Sequence, residues 1–64
     1  MLTDRQLDVL GLLARGLTEH RVGQLLGIGE ETVKSHSKAA RRNLGARNTA
    51  HAVAIALHHK LIVP

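Results

Sequence analysis

Apolar residues return at helical spacing along most of the chain. Leu7, Leu10, Leu13 and Ala14 mark the first face. Thr3 is a natural N-cap ahead of it, and Gln6 three residues later completes a capping box. Leu2 and Leu7 take the two positions of a hydrophobic staple, and Gly16 follows as a left-handed stop. Thr18 opens a shorter segment with Val22, Leu25 and Leu26 on its apolar face, Leu17 and Val22 as its staple, and Gly27 at its end. A tight Gly27-Ile28-Gly29 turn leads into a third segment. There Gly29 stands at the N-cap, Ile28 and Val33 form the staple, and Glu30 and Glu31 occupy the first turn, where acids suit the positive helix end. Gly45 stops this segment after Leu44, with Arg41 and Arg42 near its negative end. A fourth segment runs from about Asn48 to Lys60, apolar from Ala50 to Leu57 except for His51. The pattern predicts an all-α domain with helices near 4–15, 19–26, 30–44 and 49–60. No repeat, low-complexity tract or linker divides residues 1–64, so they are expected to form a single domain.

The fourth segment carries more apolar surface than one face can use. Ala52, Val53, Ala56 and Leu57 share a face, while Ala50, Ala54 and Ile55 lie partly off it. In so short a chain one flank faces outward, and an apolar flank there predicts a partner. An alanine-rich surface that is simply good helix remains the alternative.

Composition narrows the class. Eleven Leu and eight Ala, with no Phe, Tyr or Trp, favour helices over strands. The lack of Phe, Tyr and Trp also counts against single-stranded nucleic acid and most RNA modules, which stack bases on aromatic rings. Without cysteine there is no disulfide framework and no thiolate zinc site. No apolar run approaches the roughly 18 residues of a membrane span, and charges interrupt the N-terminal apolar positions, as a signal peptide would not allow. A cytoplasmic location is expected. A chain of 64 residues buries only about 60% of its unfolded surface, so a well-packed helical core or self-association must supply the stability.

Charge is segregated. Residues 1–31 hold Arg5, Arg15 and Arg21 against all five acids, a net of −2. Residues 32–64 hold Lys34, Lys38, Arg41, Arg42, Arg47 and Lys60 and no acid, a net of +6. Such segregation suits a polyanion-binding face, although a solvated basic helix would look the same. A short helix, a glycine turn and a longer basic helix form the helix-turn-helix layout, in which the second helix projects into a DNA major groove. Small Gly23 falls where the two helices would cross. At about 100° per residue, Val33, His36, Ala40 and Leu44 face inward, and Lys34, Ser35, Lys38, Arg41 and Arg42 outward. Thr32 lies in the first turn, where it can bond a phosphate, and Arg41, Arg42 and Arg47 can extend the track of phosphate contacts, with a solvated surface charge the alternative for each. The five histidines show no i,i+4 pair and no nearby acid to complete a metal site, so neither metal nor cofactor is expected. The acids all lie in the first half and pair with no histidine as an acid–base couple, so the chain is not expected to be an enzyme.

Specific strings then carry a family resemblance. They are Leu2-Thr3-x-Arg5, Val9-Leu10, Ala14 to Thr18, Leu25 to Ile28, Thr32-Val33-Lys34-Ser35-His36, Leu44-Gly45, Ala52-Val53, Ala56 and Leu61-Ile62. Together they resemble the LuxR-type (GerE-like) helix-turn-helix domain of bacterial transcription regulators over nearly the whole chain. The resemblance implies a four-helix DNA-binding domain whose third helix reads double-stranded DNA and whose fourth helix commonly dimerises on inverted-repeat sites. It places base contacts at Lys34, Ser35 and Lys38. It also implies a bacterial, nucleoid-associated location, and activators of this family often touch RNA polymerase. Gly29, Ala40, Asn43, Thr49 and Lys60 depart from the family pattern: Gly29 stands where Ser or Thr usually caps, and Lys60 where Gly is common.

The apolar flank of the fourth helix makes Ala50, Ala54, Ile55 and His58 the expected dimer contacts. So small a patch falls below the roughly 1,200 Å² of a standard interface, so the homodimer should be weak and stabilised on DNA. The rival function is a protein-interaction module that docks on RNA polymerase or another regulator. With Met1 directly before Leu2-Thr3, a whole small protein and a domain cut from a longer regulator both stay open.

Overall fold

The computed structural model describes residues 1–63. Its helices are α1 (Asp4–Ala14), α2 (Glu19–Leu26), α3 (Glu30–Leu44) and α4 (Thr49–His58), and no strand occurs among the described residues. None of these helices is long and apolar enough to cross a membrane.

Local chemistry sets the starts. The Thr3 side chain accepts from the Gln6 N–H at 3.1 Å, and the Gln6 side chain accepts from the Thr3 N–H at 3.2 Å, closing the capping box. Thr18 caps α2 by accepting from the Arg21 N–H at 3.1 Å, and Asn48 caps α4 by accepting from the His51 N–H at 2.8 Å. Gly29 occupies the N-cap of α3 without a side-chain bond.

The long helix α3 packs against each of the other three, and α1 touches both α2 and α4. Two small cores result. Val9, Val22 and Val33 are fully buried between α1, α2 and α3, with Leu12, Leu13, Leu17, Leu26 and Ile28 around them. Leu10, Ala40, Ala52, Ala56 and Ile62 fill the space between α1, α3, α4 and the C-terminal segment. Val9 and Leu10 are neighbours about 100° apart on α1, so one points into each core. Alanines at the α3–α4 contact let the two helices approach closely.

One approach is closer than any side chain permits. A Cβ on Gly23 would lie 2.7 Å from the Ile28 carbonyl oxygen and 3.5 Å from Val33 Cγ2. The missing side chain lets α2 rest directly on the turn and on the first turn of α3. Gly27, with φ 71°, reverses the chain there, and the Ile28 N–H donates to the Gly23 carbonyl at 3.0 Å.

Three details differ from the expectation. Helix α1 stops at Ala14, not Arg15. Helix α4 stops at His58, not Lys60, because Leu61 folds back: its N–H donates to the Ala56 carbonyl at 2.8 Å and the Lys60 N–H to the Leu57 carbonyl at 3.1 Å. This Schellman turn returns Ile62 to the core, where it is 8% exposed, and puts Lys60 at φ 58° in the left-handed region. Leu25, expected on the buried face of α2, is 53% exposed. Val22 and Gly23 take the buried side of that helix, and they turn Leu25 toward solvent.

Two substitutions test these points by urea unfolding. Gly23→Ala is expected to destabilise by about 1–2 kcal/mol, overpacking outweighing the better helix propensity. Lys60→Gly is expected to stabilise by roughly 0.5–1 kcal/mol, since glycine takes the left-handed conformation without the Cβ clash. A stabilised Gly23→Ala variant would mean that the turn can move away from α2.

Candidate nucleic-acid interface

The inward side of α3 is defined by Val33, Ser37 and Ala40, all buried. Ser37 is held there because its hydroxyl donates to the Lys34 carbonyl at 3.0 Å. At about 100° per residue the opposite, outward stripe carries Glu31, Ser35, Lys38 and Arg42, with Lys34 and Arg41 along one edge and Thr32 toward the other. Glu31, Thr32, Lys34, Ser35, Lys38 and Arg42 are exposed, and Arg41 is half-buried.

Lys34, Ser35, Lys38 and Arg41 come together around a shallow concavity of about 320 Å³, which Glu19, Glu31, Ser37 and Thr49 complete. Thr32 and Arg42 are exposed on the same helix but do not line this concavity. Arg47 lies in the α3–α4 connection, exposed, with its backbone N–H donating to His51 Nδ1 at 3.0 Å. The α4 residues form a separate surface. Ala50, Ala54 and His58 are exposed at four-residue spacing and Ile55 beside them is half-buried.

Asn43 is structural. Its amide donates to Gln6 Oε1 at 3.1 Å and to the Met1 carbonyl at 3.4 Å, tying the C-terminal half of α3 to the start of α1. This bond also explains why polar Gln6 is buried: its oxygen serves both the capping box and Asn43. Glu31 and Thr49 were not among the expected site residues. Their signal was available for Glu31, since Glu31, Ser35, Lys38 and Arg42 share one helical stripe. Thr49 reaches the concavity only through the packing of α4 on α3.

The acids at the start of α3 set the local electrostatics. Lys34 Nζ lies 3.5 Å from Glu31 Oε1 and 3.8 Å from Glu30 Oε2, and Glu30 Oε1 lies 3.5 Å from His20 Nδ1. Glu31, and after it Glu30, hold the Lys34 ammonium above the usual lysine pKa. The folded value is the raised one, so this pairing is in place at neutral pH. It is lost only as pH rises through the Lys34 value. These groups are solvated, so salt screens the pairing and a DNA acceptor can replace it.

Residues 1–56 match the family described as bacterial regulatory proteins, luxR family. The chain is 40% identical over 63 residues to the transcriptional activator protein BjaR1 of Bradyrhizobium diazoefficiens, covering 98% of this chain and 26% of that protein. It is 38% identical over 60 residues to the nitrate/nitrite response regulator protein NarP of Escherichia coli, covering 94% of this chain and 28% of that one. It is 44% identical over 52 residues to the HTH-type transcriptional activator RamA of Corynebacterium glutamicum, covering 81% of this chain and 18% of that one. The chain thus spans between 18% and 28% of the length of these relatives.

Glu31→Gln is expected to lower the Lys34 titration midpoint toward the ordinary lysine value, read by NMR at the Lys34 side chain. An unchanged midpoint would mean that the two side chains do not stay paired in solution.

Proposed function

The chain belongs to the luxR family of bacterial regulatory proteins, and from that premise we propose that it binds double-stranded DNA sequence-specifically and thereby regulates transcription. Residues 1–64 act as one DNA-binding unit in the bacterial cytoplasm, at the nucleoid. The observation that carries the reading is the exposed basic side of α3, where Lys34, Ser35, Lys38 and Arg41 gather along one edge of a helix that α2 meets at Gly23.

In this reading α3 enters the major groove. Lys34 and Lys38 donate to guanine O6 and N7, and Ser35 bonds a further base edge. Thr32, Arg41, Arg42 and Arg47 bond phosphates and set the register of the helix. Ala50, Ala54, Ile55 and His58 on α4 meet a second copy. The patch is small, so the contact is weak in free solution. It becomes effective when two adjacent half-sites raise the local concentration of the second protomer. In an activator the remaining surface is available to RNA polymerase.

Selection of duplexes from a random pool tests the reading, combined with a salt titration. Lys34→Ala and Lys38→Ala are expected to relax discrimination at individual base pairs by about 1–3 kcal/mol. Arg42→Ala is expected to weaken all sequences alike. Log affinity should fall linearly with log salt, by about 0.9 for each phosphate neutralised. A flat salt response would instead favour a module that docks only on protein.

The dimer contact has its own test. Ala54→Glu is expected to abolish cooperative occupancy of paired half-sites in a gel-shift titration. Helicity by circular dichroism should be retained. Unchanged cooperativity would move the interface away from α4.

A further inference from the structure

Glu31 sits where a DNA-reading surface should avoid an acid. On α3 it lies about 20° from Lys38 and about 40° from Ser35, in the middle of the outward stripe. Its side chain is 89% exposed. Glu30, one residue earlier, is different: it is 44% exposed and faces His20 of α2 at 3.5 Å. Helix-end electrostatics account for either acid, but not for one standing in the centre of the face offered to a polyanion. There a carboxylate is repelled by phosphates on any sequence unless it finds a donor. The only base-edge donors of the major groove are cytosine N4 and adenine N6.

The neighbour of Glu31 selects between them. Lys34 Nζ and Glu31 Oε1 are 3.5 Å apart, a donor beside an acceptor. A G·C pair presents the complementary order. Guanine N7 and O6 accept, and cytosine N4, hydrogen-bonded to O6 and so about 3 Å from it, donates. An A·T pair sets single acceptors, adenine N7 and thymine O4, on either side of its donor, so the ammonium there meets one acceptor and not the adjacent two of guanine. We propose that Glu31 and Lys34 read one G·C pair together, Lys34 donating to guanine O6 and N7 and Glu31 accepting from cytosine N4. This rests on α3 lying in the major groove. Within that reading Glu31 is a specificity-determining residue, which weakens binding to other DNA and so sharpens selection.

The test is selection from a random duplex pool with the wild-type chain, Lys34→Ala, Glu31→Ala and Glu31→Gln, with circular dichroism as the folding control. At the G·C pair where Lys34→Ala relaxes selection, Glu31→Ala is expected to reduce discrimination roughly tenfold. The rest of the consensus should be unchanged, and non-specific duplex should bind more tightly. Glu31→Gln is expected to admit A·T at that pair, because an amide reads adenine N6 and N7; a purely structural acid at a helix end would not produce this switch. An unchanged consensus in both Glu31 variants, or relaxation at a pair that Lys34→Ala leaves untouched, overturns the shared reading while leaving DNA recognition by α3 standing. A wild-type chain that enriches no motif overturns both.

Discussion

The contact on which the rest depends is the one between α2 and the turn at Gly23. A carbonyl oxygen 2.7 Å from where a Cβ would sit leaves room for a hydrogen and nothing larger. Because the backbone of α2 rests directly on Ile28, the angle between α2 and α3 is set by main-chain contact rather than by flexible side chains. Ile28 and Val33 then fall into the core with Val22. The outward direction of Lys34, Ser35 and Lys38 follows from the inward direction of Val33. A small error at the crossing would rotate every side chain of that stripe.

The absence of aromatic residues shapes the remainder. With alanines and valines as the main filling, no single residue fills a large space, and stability comes from close helix approach in two small cores bridged by α1 and α3. Ala52 and Ala56 bring α4 tightly onto α3. The other side of α4 leaves Ala50 and Ala54 exposed as a thin alanine stripe.

Local signals made most of the fold legible in the sequence. Capping boxes, staples and glycine stops act within a few residues, and they located α2 and α3 to the residue. Features set by tertiary packing were not legible. The turn that ends α4 is driven by burial of Ile62, and its left-handed residue is a lysine, which carries no stop signal. Leu25 looked buried because periodicity counts apolar residues and cannot tell which side of a short helix the core will take. Gln6 and Asn43 meet across 37 positions of sequence, beyond any local rule. The outward stripe of α3 could be drawn from helical spacing alone. The basic members of that stripe signal a polyanion by their charge, whereas Glu31 also fits the preference for acids at helix starts and so carries no separate signal.

That coincidence bears on how charge divides the labour along α3. Its C-terminal half carries Lys38, Arg41 and Arg42 and no acid, a charge that attracts any polyanion. Its start carries a net charge of −1, since Glu30 and Glu31 both pair with the single Lys34. In the proposed reading, a base edge that supplies both an acceptor for the ammonium and a donor for the carboxylate satisfies both members of that pair. In that reading the acids temper attraction at the start of the helix, while the rest of α3 keeps its full positive charge.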